Sequence, residues 1–306
     1  MDRPSIRQLE CLVAVADHHS FRKAAATLGI SQPALSAQVQ AAEELLGVQV
    51  FERDRRSVLV TPAGEEVVAR ARIALEAVDG VSDAARRRGE PLVGPLRVGV
   101  IPTVAPYWLP ALLPTVRKRF PRLELILRED QTARLLGQLV AGVIDVALVA
   151  IPVPGDVTTA VIARESFLLA APRDAEIVHK RGKLSEKELE DEIVLLLEDG
   201  HCLRDQALAV CERSGAIESM EARATSLPTL VQMVAGGMGV TLLPEAAADA
   251  LVQPRGPVAL AEFAKPPGRT LGLAWRTSSA RLREFRLLAE VMSEAADKFL
   301  AKLRGR

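Results

Sequence analysis

The most reactive spacing in this chain is a pair of cysteines, Cys202 and Cys211. Cys202 follows Asp199-Gly200-His201 and precedes Leu203-Arg204. A thiol attacks as its thiolate, and a helix N-terminus, an imidazolium or a guanidinium favours that form. Asp199-Gly200 is a turn-forming, helix-capping pair, and Leu203, Ala207, Leu208 and Cys211 recur at helical spacing. The spacing therefore predicts a helix that opens at Cys202. Nine helical residues rise about 13 Å and turn through about 900°, placing the two sulfurs on opposite faces. A disulfide needs Cα atoms within about 7 Å, so an intact helix forbids the bond and making it requires the helix to break. Such a pair suits a redox switch. Two plainer readings stand beside it. Cys211 lies on the apolar stripe, where cysteine is commonly a small buried hydrophobe. His201, Cys202 and Cys211 fit no usual zinc spacing and lack a fourth ligand, so no metal and no cofactor is expected.

An α/β region must position this pair. Apolar strands alternate with helical patterns: strand 96–101, helix 106–119, strand 123–128, helix 132–142, strand 144–151. That alternation predicts a largely parallel sheet. Pro152-Val-Pro-Gly155 marks a crossover into a second α/β half with strands at 166–171, 193–197 and 239–243 and helices at 202–211 and 227–235. Residues 271–275 return the chain, and 281–303 form a closing helix. Ligands in such sheets bind beyond the carboxyl ends of strands. Thr103 follows the first strand there, and Gln131-Thr132 opens the second helix. From the residues alone, either threonine is equally a simple helix cap.

The chain has 306 residues, enough for two or three domains, and 49% are hydrophobic. Lys and Arg number 39, as do Asp and Glu, so global charge does not indicate a nucleic-acid partner. Seven Phe, two Trp and one Tyr are too few for a platform that stacks single-stranded bases. No run of about 18 uncharged apolar residues occurs, so no membrane span is expected. Arg7, Glu10 and Asp17 interrupt any signal-peptide core, which predicts a cytoplasmic protein. Three cysteines in a reducing compartment are not a structural disulfide framework.

The N-terminal region reads as helices. Residues 4–18 place Leu9, Leu12, Val13 and Ala16 on one face, and 21–28 form a short second helix. After the Gly29-Ile30 turn, Ser31 caps a third helix with Pro33 in its first turn. Leu35, Val39, Ala42, Leu45 and Leu46 point inward, and Gly47 ends the helix. Short helix, glycine turn and capped helix is the helix-turn-helix pattern. Residues 48–53 and 58–61 follow as a two-stranded wing. Ser31, Gln32, Ser36, Gln38 and Gln40 are small or amide side chains able to read base edges of double-stranded DNA. Arg22, Lys23, Arg53, Arg55 and Arg56 suit phosphates. Residues 1–60 hold seven basic and seven acidic side chains, so binding must rely on placement. Pro62-Ala-Gly opens a long helix to about residue 88, with Val67, Ala71, Ala74, Leu75, Val78 and Val81 as an apolar seam. The seam has no evident partner within the chain, and a second copy is the simplest one.

Residues 21–52, with Ala-Ala-Ala-Thr-Leu-Gly-Ile-Ser-Gln-Pro-Ala-Leu-Ser and Leu-Leu-Gly-Val-Gln-Val-Phe-Glu-Arg, resemble the DNA-binding domain of LysR-type transcriptional regulators. Thr61-Pro-Ala-Gly64 fits the start of that family's linker helix. The two α/β halves are similar to its effector domain, of the type II periplasmic-binding-protein kind. The resemblance thus implies an α+β multidomain chain: a winged helix-turn-helix over 1–61, a linker and dimerisation helix over 62–90, and a regulatory domain of two α/β subdomains over 91–306. Gly200-His-Cys-Leu-Arg-Asp-Gln-Ala207 with Cys211 is more specific and resembles the hydrogen-peroxide-sensing branch. Ile101-Pro-Thr-Val, Gln131-Thr-Ala-Arg and Arg223-Ala-Thr-Ser-Leu agree with that branch.

The resemblance implies that Cys202 is the peroxidatic cysteine and Cys211 the resolving one. Thr103, Thr132, His201 and Arg269 would line or support a peroxide pocket, with Arg204 and Asp205 supporting it. It also implies a homotetramer built as a dimer of dimers, contact with RNA polymerase, and activation of oxidative-stress genes. One departure concerns DNA: Gln40-Ala41-Ala42 stands where a basic residue is expected on the recognition helix. Two other readings remain open. One is a regulator that binds an organic effector between the subdomains, with the cysteines merely buried. The other is a thiol peroxidase that turns over, against which the helix-turn-helix and the lack of Cys-x-x-Cys both argue.

Overall fold

The computed structural model describes residues 3–53, 58–86 and 91–305. The chain divides into two compact units: Met1–Glu90 with Gly137–Ile144, and Pro91–Leu136 with Asp145–Arg306.

In the first unit, each of the first three helices starts at a serine. Ser5 forms a capping box with Gln8 ahead of α1 (Ile6–His18). Ser20 caps α2 (Phe21–Thr27), and Ser31 caps α3 (Gln32–Leu46) by accepting from the Ala34 amide at 3.3 Å. Gly47 then takes the left-handed conformation, φ +67°, that closes α3. Leu12, Val15, Ala24, Leu35, Val39 and Ala42 bury together as the core of the three helices. Leu45 was expected inside but is 39% exposed. At 100° per residue it lies about 90° off the stripe set by Leu35, Val39, Ala42 and Leu46. β1 (Phe51–Arg53) and β2 (Val58–Val60) pair antiparallel as the wing. Arg55 and Arg56 of the expected wing tip lie outside the described residues.

α4 (Pro62–Arg86) begins where the Thr61 hydroxyl accepts from the Gly64 amide at 2.9 Å. Its apolar seam does have a partner within the chain, contrary to expectation. Val68 and Ala71 are buried, α4 packs on α1, and Arg72 pairs with Asp17 across that contact. What remains uncovered is the later part of the seam, Val78 at 36% and Val81 at 72% exposure.

The second unit holds a seven-stranded sheet. β3 (Gly94–Val100) pairs in parallel with β4 (Leu123–Glu129) and β5 (Val146–Ile151). α5 (Ala105–Arg119) and α6 (Thr132–Val140) make the crossovers. The expectation of a largely parallel sheet fails beyond this βαβαβ core. β6 (Val157–Pro172) and β11 (Gly268–Arg276) join antiparallel to it. The reason is the length of β6. Its first part, up to Ser166, pairs with β11, and from Phe167 it pairs with β9 (Thr241–Pro244) and β10 (Val258–Ala261). One strand therefore carries the chain from the first α/β half into the second. There β7 (Ile193–Leu197) and β8 (Ile217–Ala224) run parallel, joined by α7 (Cys202–Ser214). α8 (Leu227–Ala235) and α9 (Glu245–Leu251) follow, and α10 (Leu282–Arg304) packs on α5 and β6.

Candidate functional site

Cys202 is the first residue of α7, as its spacing predicted. His201 is the N-cap and is buried, without a side-chain cap bond. Gly200 holds φ +92°, the left-handed region, and turns the chain from β7 into the helix. A Cβ there would meet the Gln131 side chain at 2.6 Å. Gln131 Nε2 also reaches the Asp199 carbonyl at 3.5 Å. Gln131 thus brings the start of α6, with Thr132, against the start of α7, with Cys202. The Cys202 thiol is half-buried. Among the described residues, no hydrogen bond joins it to Thr103, Thr132 or His201.

Cys211 lies on the same unbroken helix and is buried. Burial pushes its thiol above the ordinary value, with Glu218 and Glu212 adding to the shift. The two sulfurs are free, as the intact helix requires.

Thr103 and Arg269 meet directly. Arg269 donates from Nη1 to the Thr103 hydroxyl at 2.8 Å and from Nη2 to its carbonyl at 3.0 Å. Both residues are buried. Thr132 Oγ1 is also buried, with no partner among the described residues. So is Gln206 Oε1, one helical turn beyond Cys202. An unmet buried polar atom costs about 1–3 kcal/mol, so such atoms mark a place for a small polar guest.

Arg204 is tied to carboxylates. It pairs with Asp199 and with Glu218, each at 2.8 Å, and those carboxylates also hold Arg223. Its Nε and Nη2 are thereby engaged, while Nη1 is buried with no partner among the described residues. Asp205 is exposed in the first turn of α7, where a carboxylate complements the helix dipole.

The DNA-reading candidates gather at one end of α3. Ser31, Gln32 and Pro33 are exposed, and Ser36 and Gln38 are half-buried. Arg22 and Lys23 of α2 are exposed. Several acidic neighbours are already engaged. Glu43 accepts from the Val50 and Phe51 amides at 2.7 and 3.0 Å, and Glu10 pairs with Arg7 at 2.8 Å.

Comparison with known proteins places this architecture. Residues 6–65 match the model of the bacterial regulatory helix-turn-helix protein of the lysR family, and residues 89–297 match the LysR substrate binding domain. The chain belongs to the LysR family. A relative from Streptomyces viridosporus, described as a probable hydrogen peroxide-inducible genes activator, is 46% identical over 297 residues, covering 96% of this chain and 95% of the relative. The DNA-binding transcriptional dual regulator OxyR of Escherichia coli K12 is 41% identical over 300 residues, 98% of each chain. Among solved structures, a full-length OxyR cysteine-to-aspartate variant from Pseudomonas aeruginosa superposes with TM-score 0.82 at 34% identity, over 95% of this chain and 98% of that one. A Corynebacterium glutamicum OxyR cysteine-to-serine variant with hydrogen peroxide bound gives TM-score 0.68 at 39% identity, over 100% and 98%.

Within this LysR-family frame, the sequence reading missed four buried or ion-paired residues around the site. Gln206 was findable from its spacing to Cys202. Glu165, Trp108 and Glu218 carried no local signal: Glu165 joins Trp108 across 57 residues and Arg269 across 104, and Glu218 joins Arg204 across 14, beyond any helical or strand spacing.

Proposed function

We propose that this LysR-family chain is a DNA-binding transcription regulator that senses hydrogen peroxide through Cys202 and Cys211. The observation that carries the reading is a half-buried cysteine opening a helix that keeps a second, buried cysteine out of bonding reach. The relatives described as probable hydrogen peroxide-inducible genes activators support it. Cys202 thiolate attacks one peroxide oxygen: an S–O bond forms, the O–O bond breaks, and the second oxygen leaves as hydroxide that takes a proton to become water. Thr103, Thr132 and His201 surround the reacting atoms, with Arg269 behind Thr103, and stabilise the departing oxygen through hydrogen bonds that strengthen as charge develops. The sulfenic acid then condenses with the Cys211 thiol, releasing water and forming the disulfide. Arg204 and Asp205 support the opening turn of α7.

In this reading, residues 1–61 bind double-stranded DNA, 62–90 dimerise, and 91–306 sense. Ser31, Gln32, Pro33, Ser36 and Gln38 enter the major groove, and Arg53, Arg55 and Arg56 approach the backbone. The working form is a cytoplasmic homotetramer, a dimer of dimers, that contacts RNA polymerase after oxidation. It is a sensor rather than an enzyme, oxidised once per signal. Mass analysis after stoichiometric peroxide, with footprints of reduced and oxidised protein on its own upstream region, tests the whole reading. Loss of two mass units in a Cys202–Cys211 peptide with a shifted footprint is the expected result. An unchanged mass, or an unchanged footprint despite the disulfide, refutes it. Continuous peroxide consumption with a thiol reductant would instead make it a peroxidase.

A further inference from the structure

The Glu165 carboxylate is wholly buried, and its bonds are all to donors. Oε1 accepts from the Trp108 indole N–H at 3.1 Å and from the Ala246 amide at 3.0 Å. Oε2 accepts from Arg269 Nε at 2.8 Å and lies 2.8 Å from its Nη2. The Glu165 and Arg269 side chains are each 0% exposed, and the two residues are cross-strand partners on β6 and β11. Arg269 has no acceptor, so its far edge can only donate, and it donates to both oxygens of Thr103. The Thr103 hydroxyl is thereby fixed as an acceptor toward Arg269. Its own proton is directed elsewhere, and among the described residues it donates to no protein atom.

We propose that Glu165 is a positioning residue for the peroxide step: it locks Arg269 so that Thr103 turns its hydroxyl proton toward the departing oxygen. This rests on the reading that Cys202 reacts with peroxide beside Thr103. Glu165 stands just before the point where β6 leaves β11 for β9. It gathers donors from α5 before the crossover and from the start of α9 after it. Arg269 cannot pivot without breaking bonds on both sides. Only a carboxylate meets this donor set. In glutamine, the amide nitrogen faces either the Arg269 donors or the indole and amide N–H groups, donor against donor. Aspartate lacks the methylene needed to reach them.

The test compares two reactions of Cys202 in the full-length protein. Oxidation by hydrogen peroxide needs a donor for the leaving oxygen, whereas alkylation by iodoacetamide expels iodide and needs none. Glu165→Gln should slow oxidation by at least about tenfold, short of the roughly hundredfold or more that outright loss of a single transition-state donor costs, because the donor is misdirected and not removed. Alkylation should stay within about twofold of wild type. Trp108→Phe removes one of the donors that hold Glu165 and should slow oxidation by about threefold with alkylation again unchanged; it decides the matter if Glu165→Gln does not fold. In a Thr103→Val background, Glu165→Gln should add nothing, because both act through one hydroxyl. Wild-type oxidation rates in the two single variants, a parallel fall in alkylation, or full additivity with Thr103→Val would each overturn the proposal. If wild-type Cys202 itself reacts with peroxide no faster than an unactivated thiol, the reading of the site falls and this inference with it.

Discussion

Cys202 and Cys211 occupy one uninterrupted helix, the first at its opening residue and the second about two and a half turns further on. The peptide between them is not idle. Leu203 and Val210 are buried, and Arg204 is tied to Asp199 and Glu218. A disulfide must unwind part of this segment, uncover those side chains and break those ion pairs. The bond therefore biases the chain between two packings, which is what a switch requires. Cys211→Ser should still react with peroxide but stop at the sulfenic acid or over-oxidise, and should not hold a switched footprint. Cys202→Ser should be blind to peroxide, and Cys11→Ser should behave as wild type. Intact-mass analysis beside footprinting reads all three. A full switched footprint from oxidised Cys211→Ser would make the sulfenic acid alone the signal.

The buried Cys211 thiol gives the second step a pH dependence. Burial raises it above its ordinary value. The folded protein thus holds the proton more tightly than the unfolded chain does. That contribution to stability is fully present below the unfolded value, about pH 8.5, and is lost as pH rises from there through the folded value. The stability gap between reduced wild type and Cys211→Ala should therefore narrow above about pH 8.5, measured by urea midpoints from pH 7 to 10. A gap that stayed constant or widened would contradict the assignment. Attack on the sulfenic acid also needs the thiolate, so disulfide formation should quicken with pH and the sulfenic acid should persist longest at low pH.

Gly200 is a sharper local test. Its φ of +92° strains any other residue, and a Cβ there would meet the Gln131 amide at 2.6 Å, so that side chain would have to shift. Gly200→Ala should cost about 1–2 kcal/mol through backbone strain and should push Gln131 off the Asp199 carbonyl. Thermal unfolding and the rate of Cys202 oxidation should both change. A variant matching wild type in both would show that Gln131 does not tie α6 to α7 in solution.

How legible the site was depended on how local its causes are. The helix opening at Cys202 followed from a turn pair and an apolar stripe, all within a dozen residues. Thr103 and Thr132 could be placed at strand and helix ends, but their company could not. Arg269 came only through the family resemblance, since a strand arginine has no spacing that announces a buried role. Glu165 was not legible at all: its arginine lies 104 residues away and its indole 57. In the first unit, periodicity reported that a face of α4 is buried, but not by what. Its early part rests on α1, and among the described seam residues Val78 and Val81 are the most exposed.

That remainder narrows the dimerisation prediction. Val81→Glu places a charge on the most exposed part of the seam, where a second copy of α4 would bury it. Subunit association and affinity for an operator with two half-sites should fall, while the fold of the first unit, built on Val68 and Ala71, should hold. Sedimentation and circular dichroism check the two halves of that statement. An unchanged dimer would remove this part of α4 from the interface.

On DNA, two substitutions separate reading from anchoring. Gln32 is exposed at the opening of α3, and Lys23 is exposed on α2. Glu43, which lies later on α3, is spent on the wing's backbone amides, so its carboxylate is turned away from a phosphate-facing role. Placement thus compensates for the even charge count of this region. A phosphate contact carries no sequence information, whereas a base contact does. Lys23→Ala should weaken binding to all sequences alike and reduce the salt slope by about one. Gln32→Ala should leave that slope unchanged and reorder the ranking of operator variants, with a loss of about 1–3 kcal/mol at the base it reads. Titrations of an operator panel at several salt concentrations measure both. If Gln32→Ala preserved the ranking while lowering every affinity equally, Gln32 would be an anchor and the base-reading role would pass to Ser36 or Gln38.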